Sequence, residues 1–169
     1  MKAKQISANL EELLETFDRT TKEFIDLLST MDEYTLNTKP DNGGWSPGQI
    51  GHHILKSYGA ADVMNGRTEP TNREPGQNVA MIKREFLDFN IRMESPEAIL
   101  PTNDYIDQAK LITDLRARVE QMRETIKIKD LNKTCIDFSI PEFGQFTILE
   151  WAWFNTYHTM RHLHQLKDL

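Results

Sequence analysis

The five histidines of this 169-residue chain fall in two short segments, and both segments carry helix signals. His52 and His53 lie in the first segment, and His158, His162 and His164 lie in the second. His158 and His162 are four residues apart, so a helix would place them on one face within reach of a single ion. A third ligand would come from the first segment. We therefore expect a fold in which these two helices face each other around an open three-histidine site.

Apolar residues recur at steps of three and four along most of the chain, as amphipathic helices require. Stretches rich in glycine, proline and polar residues separate these periodic segments. We predict four main helices, at residues 7–30, 46–66, 107–129 and 147–167, and a shorter helix at residues 79–89 in the long middle connection. This pattern indicates an all-α four-helix bundle, in which ligand sites are built from facing helices.

The start of the second helix has the most explicit local signal. Ser46 can cap the helix, Pro47 suits its first position, and Gln49 completes a capping box. Elsewhere, the composition of residues 67–77 predicts a loop, and the alternation in residues 135–140 predicts a short extended piece.

A chain of this length is most simply one domain, residues 1–169.

Composition and charge argue against several classes of function. Twenty Lys and Arg against 26 Asp and Glu give a formal charge of −6, without a basic block that could neutralise phosphates. We expect no nucleic-acid partner. The sequence shows neither a secretory leader pattern nor a long uncharged apolar run, so we expect a cytoplasmic protein without membrane association. The single Cys135 excludes an internal disulfide, and we interpret it as an inert packing residue.

The two adjacent histidines of the first segment point in different directions. His53 shares a helix face with Ile50 and Ile54, whereas His52 points about 100° away. A lone inward histidine is more often a core residue bonded to a carbonyl or carboxylate than a metal ligand. Three neutral imidazoles buried together are difficult to satisfy without an ion, which favours metal binding here. His164 is expected at the solvent or the bundle rim.

Two glutamines and three tryptophans are open to two interpretations. Gln49, one turn before His53, and Gln165, three residues after His162, could orient ligands or bound water. Gln49 could equally serve only the capping box. We expect the tryptophans to pack in the core and at the bundle ends rather than to form substrate platforms. These residues are Trp45, Trp151 and Trp153.

Two segments together resemble the signature of a known family. The segments are Trp45-Ser46-Pro47-x-Gln49-x-x-x-His53-Ile54 and, further along the chain, His158-x-x-x-His162-x-x-Gln165. They are similar to those of the DinB-like superfamily, which includes the bacillithiol S-transferase-like proteins. The resemblance implies an up-down-down-up four-helix bundle in which His53, His158 and His162 hold a divalent metal. Open coordination positions would then hold water or substrate.

The resemblance says less about the reaction. Some relatives are thiol-dependent transferases in which the metal activates a low-molecular-weight thiol such as bacillithiol or mycothiol, and many have no known reaction. A metal that stabilises the thiolate would favour the reactive nucleophile. We therefore expect a metal-dependent thiol S-transferase, or a related small-molecule transferase or hydrolase, whose partner is a small substrate or thiol. The alternative is a non-catalytic stress-response or binding module in which the ion is structural.

Two further expectations concern the ion and the assembly. Imidazole suits several transition metals, and we expect zinc first and nickel second, because three nitrogens plus water is a common catalytic zinc arrangement. Apolar residues such as Val63, Met64 and those of the stretch from Phe86 to Phe89 could be covered by a second subunit. Relatives of this kind are often dimeric, so we expect a homodimer.

Overall fold

Four helical columns pack side by side in the computed structural model, which describes the backbone of residues 2–169 and side chains from residue 9 onward. The helices in chain order are α1 (Lys2–Thr30), α2 (Glu33–Asn37), α3 (Pro47–Ser57), α4 (Ala60–Asn65), α5 (Val79–Leu87), α6 (Gln108–Ile128) and α7 (Ile148–Lys167). Helices α1, α6 and α7 each form one column, and α3 with α4 forms the fourth. The predicted all-α four-helix bundle, with a short helix in its middle connection, is confirmed.

Contacts between the columns give their directions. Three hydrogen-bonded pairs establish them: Gln108–Leu28, Asn65–Thr125 and Lys167–Glu23. The first joins the start of α6 to the end of α1, so these two helices run antiparallel. The second joins the ends of α4 and α6, which are parallel. The third joins the end of α7 to the C-terminal half of α1, so these are also parallel, and the order is up-down-down-up.

Two capping boxes fix the starts of the helices that carry the histidines. At α3, Ser46 Oγ accepts from the Gln49 amide at 3.2 Å while Gln49 Oε1 accepts from the Ser46 amide at 3.1 Å, as the sequence predicts. At α7, Thr147 and Glu150 form the same reciprocal pair. Each box satisfies backbone N–H groups that a helix start leaves without partners.

The core lies between the columns and is built from the apolar stripes of amphipathic helices. Leu13, Phe17 and Leu28 of α1 and Ile50 and Ile54 of α3 are fully buried. Among the helices of residues 2–169, none combines the length and the apolar character that a bilayer span requires.

The predicted second helix is in fact two helices. It is interrupted between Ser57 and Ala60, where Tyr58 and Gly59 form a turn. The Gly59 amide donates to the carbonyl of Lys56 at 3.0 Å, and a Cβ on Gly59 would lie 3.1 Å from the same oxygen. The apolar periodicity continues through this turn, so periodicity alone predicts one continuous helix.

The prediction for residues 67–77 was only partly correct. Strand β1 (Thr68–Pro70) falls in that segment and pairs antiparallel with β2 (Lys133–Cys135), in the register Thr68 to Cys135. The extended piece predicted at residues 135–140 therefore begins two residues earlier and is regular only to Cys135. Each strand is three residues long, and its partner lies far away in the sequence, so neither has a local pattern to reveal it.

The apolar residues on which the homodimer expectation rested are mostly internal. Met64 and Phe86 are buried in the chain's own core, at 0% and 6% exposure. Helix α5 ends at Leu87 rather than at the predicted residue 89, and Phe89 is 44% exposed. The homodimer stays a prediction, without the support of Met64 and Phe86.

Candidate metal centre

Three imidazole rings meet between α3 and α7. His53 Nε2 lies 2.9 Å from His158 Nε2, which lies 3.1 Å from His162 Nε2. The three side chains are buried, and one nitrogen from each lies within 4.8 Å of the others. The structure thus brings together the three residues that the sequence singled out, in a group that could hold a metal ion.

In each ring the Nδ1 atom is the outer nitrogen, because Nε2 lies toward the other two histidines. In two of the rings this outer nitrogen has an oxygen partner that sets the position of the ring proton. His53 Nδ1 lies 2.8 Å from the carbonyl of Ile99, which can only accept, so Nδ1 carries the proton. His162 Nδ1 likewise lies 2.8 Å from Gln165 Oε1. In both rings the lone pair is therefore on Nε2 and faces the centre of the group.

The surroundings of the three rings keep them uncharged. Burial lowers the pKa of His162 to about 3, and the nearby imidazole of His53 contributes to the shift. Burial also lowers the pKa of His53 and takes that of His158 well below its ordinary value. Neutral imidazoles are the form that binds metals, and lone pairs that converge in a buried space have no partner other than a cation or a shared proton. The donor set therefore fits a transition-metal ion.

The two glutamines have different roles. Gln165 bonds His162, as one interpretation of the sequence expected. Gln49 does not serve as a ligand partner: Oε1 closes the capping box, and Nε2 donates to the carbonyl of Thr102 at 2.9 Å and to Asn103 at 3.2 Å. The contacts of Gln49 therefore match the second interpretation, the capping box, because both ends of its amide are engaged by backbone groups and by a loop residue.

Residues 99–103, which we call the strap, lie along one side of α3. Four α3 side chains bond to the strap: Gln49, His52, His53 and Lys56. Lys56 Nζ donates to the carbonyl of Leu100 at 2.7 Å, and His52 Nδ1 accepts from the amide of Thr102 at 3.0 Å. Sequence reasoning missed the strap. Its only signal was the polar spacing on α3, because the strap contributes mainly backbone groups.

A cavity of about 810 Å³ opens beside the histidines and is lined by His162, Gln165, Trp45 and Leu100. The Trp45 ring centre lies 4.8 Å from that of His53, and its plane is nearly parallel to the ring of His162. Trp45 also packs on the core. The expectation that it only packs was therefore incomplete, because it also forms a wall of the cavity.

The rim and the far side of this cavity belong to α7 and to the segment after α5. Arg161 donates to the carbonyls of Asp88 and Ile91 and so holds this segment against α7. His164 lies at the rim, as expected, where it pairs with Asp168 and stacks on Phe89. Cys135 lies away from the cavity lining, and burial raises its pKa to about 11, in agreement with a packing role.

The fold and the site together define the class of this protein: it is a four-helix bundle that carries three buried histidines between its second and last helical columns. The family model described as the DinB superfamily matches residues 16–166, and the chain belongs to that superfamily. An uncharacterized protein of Bacillus subtilis (strain 168), YuaE, is 26% identical over 145 residues, which cover 84% of this chain and 87% of that protein.

A solved structure supports the fold. The crystal structure of TT2238, a four-helix bundle protein, superposes with a TM-score of 0.55 and covers 95% of this chain and 99% of its own. The identity is 18%, so the likeness concerns the fold alone.

Proposed function

We propose that the protein is a metal-dependent enzyme acting on small molecules, most simply a thiol S-transferase or a related transferase or hydrolase. His53, His158 and His162 would hold the ion, with zinc or nickel as the metal. The observation that carries the proposal is the convergence of three buried imidazole nitrogens, one of which belongs to His162, a residue that lines a cavity of about 810 Å³. Cavities of this size accommodate small-molecule substrates.

The chain's own residues prepare the site for such a reaction. A bound divalent ion would supply the Lewis acidity that stabilises a thiolate at neutral pH. The carbonyl of Ile99 and the amide of Gln165 hold the ring protons of His53 and His162 away from the centre. The indole of Trp45 covers one side of these two rings and reduces the access of water.

A second candidate is a non-catalytic binding or stress-response module in which the ion joins α3 to α7. The burial of the histidines supports it, because the most exposed, His162, retains only 8% of its surface. A structural ion is usually enclosed by four protein ligands, however, and the group identified among the described residues consists of three histidines. The cavity at His162 also favours the enzyme.

The proposal predicts turnover that depends on the metal. Metal-free protein, reloaded with zinc or nickel, should transfer a low-molecular-weight bacterial thiol to a chlorinated or epoxide electrophile, and the metal-free sample should not. The His158→Ala variant should fall to the uncatalysed rate, because it loses the central nitrogen of the group. Thiol consumption and mass spectrometry of the product would measure both. Absence of metal-dependent turnover across a panel of thiols and electrophiles would favour the binding module.

The identity of the metal is a separate prediction. Protein purified without a nickel-affinity tag should contain zinc or nickel, approaching one ion per chain, because an imidazole donor set suits both. Elemental analysis by mass spectrometry measures the content directly. Iron or manganese at full occupancy would contradict this prediction.

A further inference from the structure

Three buried side-chain atoms lack a hydrogen-bond partner in the part of the chain that the structure describes: Trp151 Nε1, Asn155 Oδ1 and His158 Nδ1. All three belong to α7. The indole of Trp151 lies among aromatic rings, with Phe146 and Phe154 at 5.4 and 5.6 Å between ring centres. The other two atoms belong to residues three apart, which neighbour each other on a helix face.

The hydrogen bond made by Asn155 Nδ2 sets the orientation of the side-chain amide. Nδ2 donates to the carbonyl of Trp151 at 2.9 Å, and because a carbonyl only accepts, the remaining amide atom is the oxygen. Asn155 is 0% exposed, so this oxygen is an acceptor in the bundle interior. Helical side chains lean toward the preceding turn, which directs the His158 ring toward the turn that contains Asn155.

His158 is the one histidine of the group whose outer nitrogen lacks a partner among the described residues. The outer nitrogens of His53 and His162 each face an oxygen. A proton on Nε2 of His158 could bond a neighbouring imidazole but would prevent this nitrogen from ligating an ion. A proton on Nδ1 frees Nε2 and requires an acceptor. The rings of Phe86 and Phe154, which pack on His158, offer none.

We propose that Asn155 is a positioning residue, whose Oδ1 accepts the Nδ1 proton of His158, directly or through one water molecule. This inference rests on the proposed metal binding. Each ligand would then have its own oxygen partner: the Ile99 carbonyl, Gln165 and Asn155. Partners of this kind fix the tautomer and the orientation of a ligand, and their loss typically weakens metal affinity about 10–100-fold.

Two variants of Asn155 distinguish the effect of its side-chain oxygen from the effect of its size. Asn155→Leu removes the oxygen, whereas Asn155→Asp keeps an acceptor, and both lose the bond to the Trp151 carbonyl. Competition titrations with Zn²⁺ and a chromogenic chelator should give an affinity about 10–100-fold weaker for N155L, with N155D close to the wild type. Thr156→Val removes a neighbouring buried hydrogen bond, to the Ala152 carbonyl, and is the matched control with unchanged affinity.

A second measurement reports on the proton itself. In zinc-loaded protein with ¹⁵N-labelled histidine, long-range NMR correlations should show the His158 proton on Nδ1, slowly exchanging in the wild type and faster in N155L. Circular dichroism would verify that each variant folds. Unchanged zinc affinity in N155L, or an equal loss in N155D, would overturn the role of Asn155 alone. Wild-type protein that binds no zinc would overturn the proposed function and this inference with it.

Discussion

Removal of the ion from zinc- or nickel-loaded protein is expected to lower the melting temperature by roughly 10 °C. An ion that binds only the folded state stabilises it by about 4 kcal/mol when the free ion is a thousandfold above its dissociation constant. In a chain of this size each kcal/mol corresponds to about 2–4 °C. The structural cause of this stabilisation is the group of three imidazoles. The Nε2 atom of His158 lies 2.9 Å from that of His53 and 3.1 Å from that of His162, so one cation could bind all three. Calorimetry with and without a chelator measures the difference.

Substitution of a single histidine should remove most of this difference. His158→Ala deletes the central nitrogen, and comparing loaded with stripped samples of the same variant cancels its effect on the metal-free fold. His164→Ala is the matched control on the same helix, because His164 lies outside the group and pairs with Asp168. A loaded wild type that melts at the same temperature after chelation would contradict metal binding at this site.

Glu150→Ala is expected to lower the free energy of unfolding by about 3 kcal/mol, the lower end of the usual loss for a buried ion pair, because Glu150 is buried and Arg73 is only partly buried. The Glu150 carboxylate is 0% exposed and accepts two hydrogen bonds from Arg73, at 2.7 and 2.6 Å. It also accepts hydrogen bonds from the backbone amides of Asn78 and Thr147, both at 3.0 Å. The substitution therefore leaves a cation and two amide groups without their partner. Urea denaturation measures the loss.

Two further variants define the cause of this effect. Glu150→Gln keeps one oxygen and the size of the side chain, so an intermediate loss is expected. Glu124→Gln removes an exposed partner of Lys127 and should leave the unfolding midpoint nearly unchanged, since exposed ion pairs contribute little. A loss in Glu150→Ala no greater than that in Glu124→Gln would show that the buried pair does not stabilise the fold.

The features predicted correctly from the sequence are those with a local signal. The capping residues Ser46 and Gln49 and the periodic apolar stripes identified the helices, because cap chemistry and helical period depend only on neighbours in the chain. The spacing of His158 and His162 and the direction of His53 identified the three histidines for the same reason. The structure adds the distances between them.

Other features depend on contacts between distant parts of the chain. Glu150 has the sequence position of a first-turn acid, and its partly buried bond to Arg73 crosses 77 residues. The role of Gln49 depends on Thr102, 53 residues away. The cavity is formed by Trp45, the end of α7 and the segment after α5 together. No window of sequence contains these partners at once, so a local pattern could not predict them.

The strap has a consequence for how this site could diversify during evolution. It holds His53 through the carbonyl of Ile99, an atom that every amino acid carries, while the side chain of Leu100 faces the cavity. Substitutions in the strap could therefore remodel the cavity wall without removing the acceptor that orients His53. Substrate preference would then depend on the side chains of the strap, and the orientation of His53 would depend on its backbone. The two properties could therefore change almost independently.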